Sequence, residues 1–418
     1  MTSIQSVLAA FGIILVDLVG RAGLDKVLAL TGDPTMVAQW AQLQSVVELV
    51  SSVALAGVLQ GLTILIARAC YASEERNLLG AAFKLGMAVS LTVALVLLLL
   101  AGYLRGQSKV DLVFLAVLAG CITVIPATLN AYWLGKHQQK RMLGLALLSS
   151  AVLVSVAVAA RVGLSLRGLV LVQCIVLAII GSIVWNYLGK LSGRNMSRAG
   201  DARAVGTGYL QKLMKFVPVG LAIGFMSPIS MLLIRGTLAD SLSWSEVGYL
   251  QALWRSTEWV TAMSAGALSL VFLPRFSATY GSDRFKQEMV RSGVIVLIPA
   301  AFLLLAIFLN QRALIAALYD VRFEVSNETA ALFILGCWIR ISSWLFLFGL
   351  FSAHRTRLII AGEVLSLPLY VLLLWLLADG MTLERAALLY LASYIAYLAF
   401  NAIALRYSSR KISIACGQ

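Results

Sequence analysis

Runs of about 20 apolar residues recur along the whole chain, from "GIILVDLVG" near its start to "LASYIAYLAFNAIAL" near its end. A helix crossing roughly 30 Å of hydrocarbon needs about 20 residues, and in lipid only helices and closed barrels satisfy their own backbone. Of the 418 residues, 61% are hydrophobic and only 12% charged, too little polar cover for a soluble domain of this size. The expected class is an all-α polytopic membrane protein. No basic n-region with a small-residue cleavage site opens the chain, so the first segment is expected to stay as the first membrane helix.

Apolar runs and their breakers place about twelve helices, at 4–30, 37–67, 79–103, 112–134, 142–160, 168–188, 213–235, 247–273, 291–309, 329–352, 358–378 and 386–405. With both termini cytoplasmic, the inner loops and tail hold 20 Lys and Arg and the outer loops hold 8. Asp33, Asp240, Asp320, Glu324 and Asp379 fall on the outer side. The positive-inside rule therefore favours N-in, C-in. That placement explains most of the +14 net charge without a nucleic-acid partner. The five cysteines show no CxxC or Cys/His spacing, which gives metal or disulfide chemistry little support.

The longest inner connection, "KLSGRNMSRAGDARAVGTGYLQK", follows six helices and reads as a surface linker. The expected division is an N-terminal lobe at 1–189, a linker at 190–212, a C-terminal lobe at 213–406 and a tail at 407–418. Six helices per lobe give both halves the same orientation. Gln44, Glu48, Ser51 and Arg68 in helix 2 match Gln251, Arg255, Glu258 and Arg275 in helix 8, each offset by 207 residues. His137 and His354 each follow the fourth helix of a half and read as loop residues at the membrane surface.

Five of the 33 basic residues remain inside the predicted spans: Arg21, Lys26, Lys84, Arg255 and Arg340. The acids in comparable places are Asp17, Asp25, Glu48, Glu258 and, nearer a helix end, Glu363. Each such charge costs about 2.5–3.5 kcal/mol on insertion scales unless it meets a partner or a watery cavity. The set therefore points to a hydrated cavity. Asp17, Arg21 and Asp25 share one helix face, as do Gln44, Glu48 and Ser51, and Gln251, Arg255 and Glu258. Below Glu258 the residues Ala262, Ala265, Gly266 and Ser269 permit close helix approach. Pro126, Pro218, Pro228 and Pro299 are placed to kink helices 4, 7 and 9. The competing account is structural: Arg21 neutralised by its flanking aspartates, Arg255 by Glu258, and Lys84 snorkelling to the surface.

Three of the five buried bases are arginines, whose planar fork matches phosphate oxygens. A basic cavity beside lipid suggests an anionic amphiphile, with a phosphorylated head in the cavity and a tail in the bilayer. No Walker motif, metal cluster or catalytic constellation is present, so the chain is not expected to be an enzyme or to carry a cofactor. Energy would come from an H⁺ or Na⁺ gradient, the membrane potential or downhill lipid flux. Asp17, Asp25, Glu48 and Glu258 are the candidate coupling acids, and Gln44 and Gln251 the polar cavity residues.

The run "SWSEVGYLQALWRSTEW…ALSLVFLPRFSATYGSDR" (Ser243 to Arg284) resembles the helix 7–8 region of Wzx-type flippases, lipid III carriers above all. Trp244 to Gln251 and Leu273 to Ser277 carry most of the likeness, and Gly57, Gly61 and Thr63 in "ALAGVLQGLTILIARA" add a second region. The resemblance implies the MOP-superfamily, MATE-like fold: two pseudo-symmetric six-helix lobes in a V around a central cavity. It implies flipping of an undecaprenyl-diphosphate-linked oligosaccharide across the bacterial inner membrane by alternating access, for O-antigen or common-antigen assembly. Expected partners are that glycolipid, membrane lipid, and the polysaccharide polymerase and chain-length machinery. Glu258 matches an acidic position of such relatives, whereas Arg255 falls where the common-antigen branch has a small polar residue, which keeps O-antigen units in play. The diphosphate ligands would be Arg21, Lys26, Lys84, Arg255 and Arg340. The rivals are an ion-coupled multidrug antiporter, which would want a cavity richer in acids and aromatics, and a membrane enzyme acting on a polyprenyl-linked glycan, which would want large outer loops.

Overall fold

A computed structural model describes residues 2–55, 57–69, 71–103, 110–136, 138–191, 202–214, 217–353 and 355–415. Among them the regular structure is helical throughout, with no strand. Among the described residues, eight helical stretches are long and apolar enough to cross a membrane, Asp111–Gly135, Asn327–Ser352 and Thr356–Leu376 being three of them. His137 and His354, and the stretch 192–201 of the expected linker, lie outside the described residues.

The chain forms two compact units: Met1–Thr31 with Trp40–Ile229, and Gly32–Gln39 with Ser230–Gln418. The first unit is built from α1 (Thr2–Thr31), α2 (Pro34–Leu55), α3 (Val58–Arg68), α4 (Ala72–Tyr103), α5 (Val110–Gly135), α6 (Gln139–Arg161), α7 (Leu166–Leu191), α8 (Ala202–Met214) and the start of α9 (Val217–Ser241). In it α5 packs on α3, α4 and α7, and α1 lies along α6. Helix 2 is not one piece: Gly57, at φ 73°, separates α2 from α3. Only glycine enters that backbone region without a Cβ penalty. The expected linker also contains structure, because α8 packs on α3 and α4 and seats Leu213 at 0% exposure.

The second unit contains α10 (Trp244–Ala267), α11 (Leu273–Thr279), α12 (Asp283–Leu309), α13 (Gln311–Leu318), α14 (Asn327–Ser352), α15 (Thr356–Val364), α16 (Leu367–Leu376) and α17 (Leu383–Ala415). Its core is the α14–α17 contact. Tyr390, Tyr394 and Tyr397 follow i, i+4, i+7 on α17 and are buried; Phe333 of α14 stacks on Tyr390 at 4.6 Å between centroids. Leu268–Phe272 forms a π-helical turn between α10 and α11, immediately before Pro274. A π turn relocates the hydrogen bonds that a proline cannot make.

Pro126, Pro228 and Pro299 sit inside helices as expected, but Pro218 does not. It is the second residue of α9, where the missing N–H would have no partner anyway.

Candidate functional site

In the first unit the polar face of α1 meets α2. Arg21 Nε lies 2.9 Å from Asp17 Oδ2, and Nη1 lies 3.4 Å from Glu48 Oε1. The guanidinium is thus bracketed by one carboxylate of its own helix and one of the next. Asp17 and Glu48 are about half exposed and Arg21 one-third exposed, so this is a wet site. Asp25, two turns along α1, is buried instead, at 4% exposure, and Lys26 is partly buried. Gln44 exchanges a reciprocal amide pair with Gln173 of α7, at 3.0 and 3.2 Å. Lys84 lies exposed on α4 and does not join these groups.

In the second unit the polar face of α10 begins with an N-cap. Ser243 Oγ accepts the Glu246 N–H at 3.2 Å and donates to Glu246 Oε2 at 3.3 Å. Gly248 then packs against Pro34, so the Trp244-to-Gln251 motif includes a helix cap and a close packing contact. One turn later Gln251 Oε1 accepts from Arg235 Nη2 at 2.9 Å and Nε at 3.3 Å. Arg255 Nη1 lies 2.5 Å from Glu258 Oε2, the two side chains being 20% and 31% exposed.

Arg340 lies elsewhere in that unit, on α14. Its guanidinium stands 4.8 Å from the Trp344 ring centre and 5.6 Å from that of Tyr394. An arginine stacked on two rings keeps its charge and its in-plane donors while shielding its faces.

The structure therefore groups the sequence-selected residues as Asp17–Arg21–Glu48, Gln44 with Gln173, Gln251 with Arg235, and Arg255–Glu258. Arg340 and Lys84 stand outside these groups. Two partners were missed. Arg235 stands at the outer end of the expected helix 213–235 and counts among the 8 outer basic residues, but α9 continues to Ser241 and buries it at 9% exposure. Gln173 is a lone amide within "LVLVQCIVLAII", a polar residue that apolar length alone passes over. Its signal was its cost, since a buried amide without a partner is unfavourable by about 1–3 kcal/mol.

Comparison with known proteins adds the following. No family model matches the chain. The lipid III flippases of Escherichia coli (strain K12) and Shigella flexneri are each 24% identical to it over 190 residues, 46% of this chain and 46% of each flippase. The match thus spans about half the length of these relatives. Among solved structures, an inward-facing multidrug resistance MATE family transporter of the MOP superfamily superposes with a TM-score of 0.69 at 12% identity, covering 99% of this chain and 96% of the other. An outward-facing one gives 0.65 at 10% identity, over 100% and 99%. A Vibrio cholerae MATE transporter in the bent form gives 0.55 at 15%, over 98% and 97%. The fold is that of MATE transporters.

Proposed function

We propose that this chain is a multi-pass transporter that flips a polyprenyl-diphosphate-linked oligosaccharide from the cytoplasmic to the periplasmic leaflet of the bacterial inner membrane by alternating access. The observation that carries the reading is the set of arginines inside a MATE-like helical frame: Arg21, Arg235, Arg255 and Arg340 all lie within helices, not in loops. Guanidinium groups at membrane depth are costly and match the oxygens of a diphosphate. The 24% identity to lipid III flippases supports the same substrate class, an O-antigen or common-antigen type unit. Arg21, Arg255 and Arg340 would attract the diphosphate, with Lys26 and Lys84 adding positive potential. Coupling would draw on an ion gradient or the membrane potential, and both termini would be cytoplasmic.

The multidrug antiporter reading is favoured by the structural neighbours. Against it, Asp17 and Glu48 already face Arg21, and Glu258 already faces Arg255, so these acids are not poised for an organic cation. Reconstitution with a fluorescent lipid-linked oligosaccharide tests the proposal. Leaflet transfer by the wild type is the expected result; no transfer, alongside efflux of organic cations, would overturn it.

A further inference from the structure

The membrane-length stretch Thr356–Leu376 is not one helix. α15 ends at Val364 and α16 begins at Leu367, so Leu365 and Ser366 interrupt it at its middle. Pro368 in the first turn of α16 supplies no N–H, which a helix tolerates only at its start, and Ser366 before that turn leaves the helical backbone at ψ −114°. Non-helical backbone at such depth survives only where protein or water satisfies it. Here the protein does: Leu365 N–H donates to Gly362 O at 2.8 Å, and Ser366 donates to Glu363 O from its N–H at 3.3 Å and its hydroxyl at 2.6 Å.

The carboxylate beside the break is Glu363, and Tyr397 of α17 donates its hydroxyl to it at 2.7 Å. One turn further along α17, Asn401 gives its amide N–H to Ser343 Oγ at 2.9 Å. Its Oδ1 has no hydrogen-bond partner and faces Gly362, where an added Cβ would stand 2.7 Å from it. One turn into α16, the Tyr370 hydroxyl is also without a hydrogen-bond partner. Both residues are 0% exposed. An orphaned buried oxygen destabilises the fold, and an apolar residue in its place would avoid that cost. The idle Asn401 oxygen, set against Gly362 beside this acid, points to a group that arrives and leaves.

The titratable and charged groups set against Glu363 are Tyr397 and Tyr394 of α17 and Arg340 of α14. Beyond them, Cys337 of α14, Tyr370 of α16 and Tyr390 of α17 surround Tyr394. Cys337 Sγ lies 3.6 Å from the Tyr390 hydroxyl and donates to Thr257 Oγ1 at 3.4 Å, and Thr257 adjoins Glu258 on α10. These buried polar contacts tie α10 to α14 and α17.

We propose that Glu363 is a proton-binding carboxyl that loads and unloads during the transport cycle. Unloaded, the carboxylate is held by the Tyr397 hydroxyl and balanced by Arg340. Loaded, it carries a proton taken from water, and its new O–H donates to an acceptor that is now idle, Asn401 Oδ1. A proton suits the site better than a metal ion. Among the described residues no three His, Cys, Asp or Glu side chains gather to hold one, and Arg340 already supplies a positive charge nearby. The inference rests on the transporter reading and adds to it an acid outside Asp17, Asp25, Glu48 and Glu258.

The test uses the full chain in proteoliposomes and dicyclohexylcarbodiimide, an apolar reagent that attacks protonated carboxyls. Labelling at residue 363 is read by peptide mass spectrometry from about pH 5 to about pH 9. Labelling is expected to fall about tenfold across that range, to vanish in Glu363→Gln, and to shift its half-labelling pH by about one unit in Tyr397→Phe, which removes only the hydroxyl. In the same vesicles, transfer of a fluorescent lipid-linked oligosaccharide should respond to an imposed pH gradient in the wild type and not in Glu363→Gln. No label at any pH, a label indifferent to pH, or a Glu363→Gln protein that still follows the gradient overturns the proposal. A wild type that labels as expected but moves no oligosaccharide upholds the proton site and overturns the flippase reading instead.

Discussion

Gly248 of α10 packs its backbone directly on Pro34: a Cβ at position 248 would stand 2.9 Å from the proline Cβ and closer still to its carbonyl. The obstacle is backbone, not the end of a flexible side chain, so it cannot swing away. Gly248→Ala is therefore expected to destabilise the protein by about 1–3 kcal/mol, the usual cost of overpacking a tight contact. Thermal unfolding in detergent measures it. A midpoint equal to that of the wild type would mean that α2 and α10 do not meet in this way.

The Arg235–Gln251 pair makes a second stability prediction. Gln251→Leu removes the acceptor of two buried guanidinium bonds, at 2.9 and 3.3 Å, and is expected to cost about 1–3 kcal/mol. Replacing both, as Arg235→Met with Gln251→Leu, should recover part of that loss, because no buried charge is left short of a partner. Unfolding midpoints of the two variants decide it. A double variant less stable than Gln251→Leu alone would show that Arg235 is held chiefly by other groups.

Apolar length made the membrane-length helices legible, eight of them among the described residues, because the 30 Å requirement acts on every crossing alike. The interruptions were harder. "LIIAGEVLSLPLYVLLLWL" reads as one helix by hydropathy, and only Pro368 signals that α15 must stop before α16 begins. Gly57 was read as part of a family motif, while the joint it makes between α2 and α3 depends on a positive φ that composition does not display. Spacing correctly put Arg255 and Glu258 on one face, a local property of α10. It could not pair Gln44 with Gln173, 129 residues away, since that contact depends on how α2 and α7 pack. Arg235 was lost for a related reason: an arginine close to a predicted boundary looks like a loop residue until the helix is seen to run on.

Arg21 separates a stability role from a transport role. Its partners Asp17 and Glu48 are each 51% exposed, and wet ion pairs of this kind contribute about 0–1 kcal/mol. Glu48→Gln should leave the unfolding midpoint nearly unchanged. On the flippase reading it removes one of the carboxylates that compete with phosphate for the guanidinium and lowers KM for the lipid-linked oligosaccharide, while Arg21→Ala raises it about tenfold, equivalent to about 1.4 kcal/mol. Transfer kinetics of the two variants give the answer. Identical KM values throughout would assign Arg21 to the scaffold alone.

Arg255 and Glu258 demand a cycle rather than a single substitution. At 2.5 Å the two could exist only to neutralise each other inside the span, or Arg255 could trade Glu258 for a diphosphate as the substrate enters. The alternatives differ in the double variant. If neutralisation is the whole role, Arg255→Ala leaves Glu258 uncompensated, and adding Glu258→Gln restores both stability and transfer. If Arg255 meets the diphosphate, Glu258→Gln restores stability but transfer stays down about tenfold or more, because the phosphate donor is still missing. Arg255→Lys then recovers only part of the activity, since an ammonium lacks the bidentate fork. The flippase reading expects the second pattern, and leaflet-transfer rates measured beside unfolding midpoints for the four proteins of the cycle distinguish it from the first.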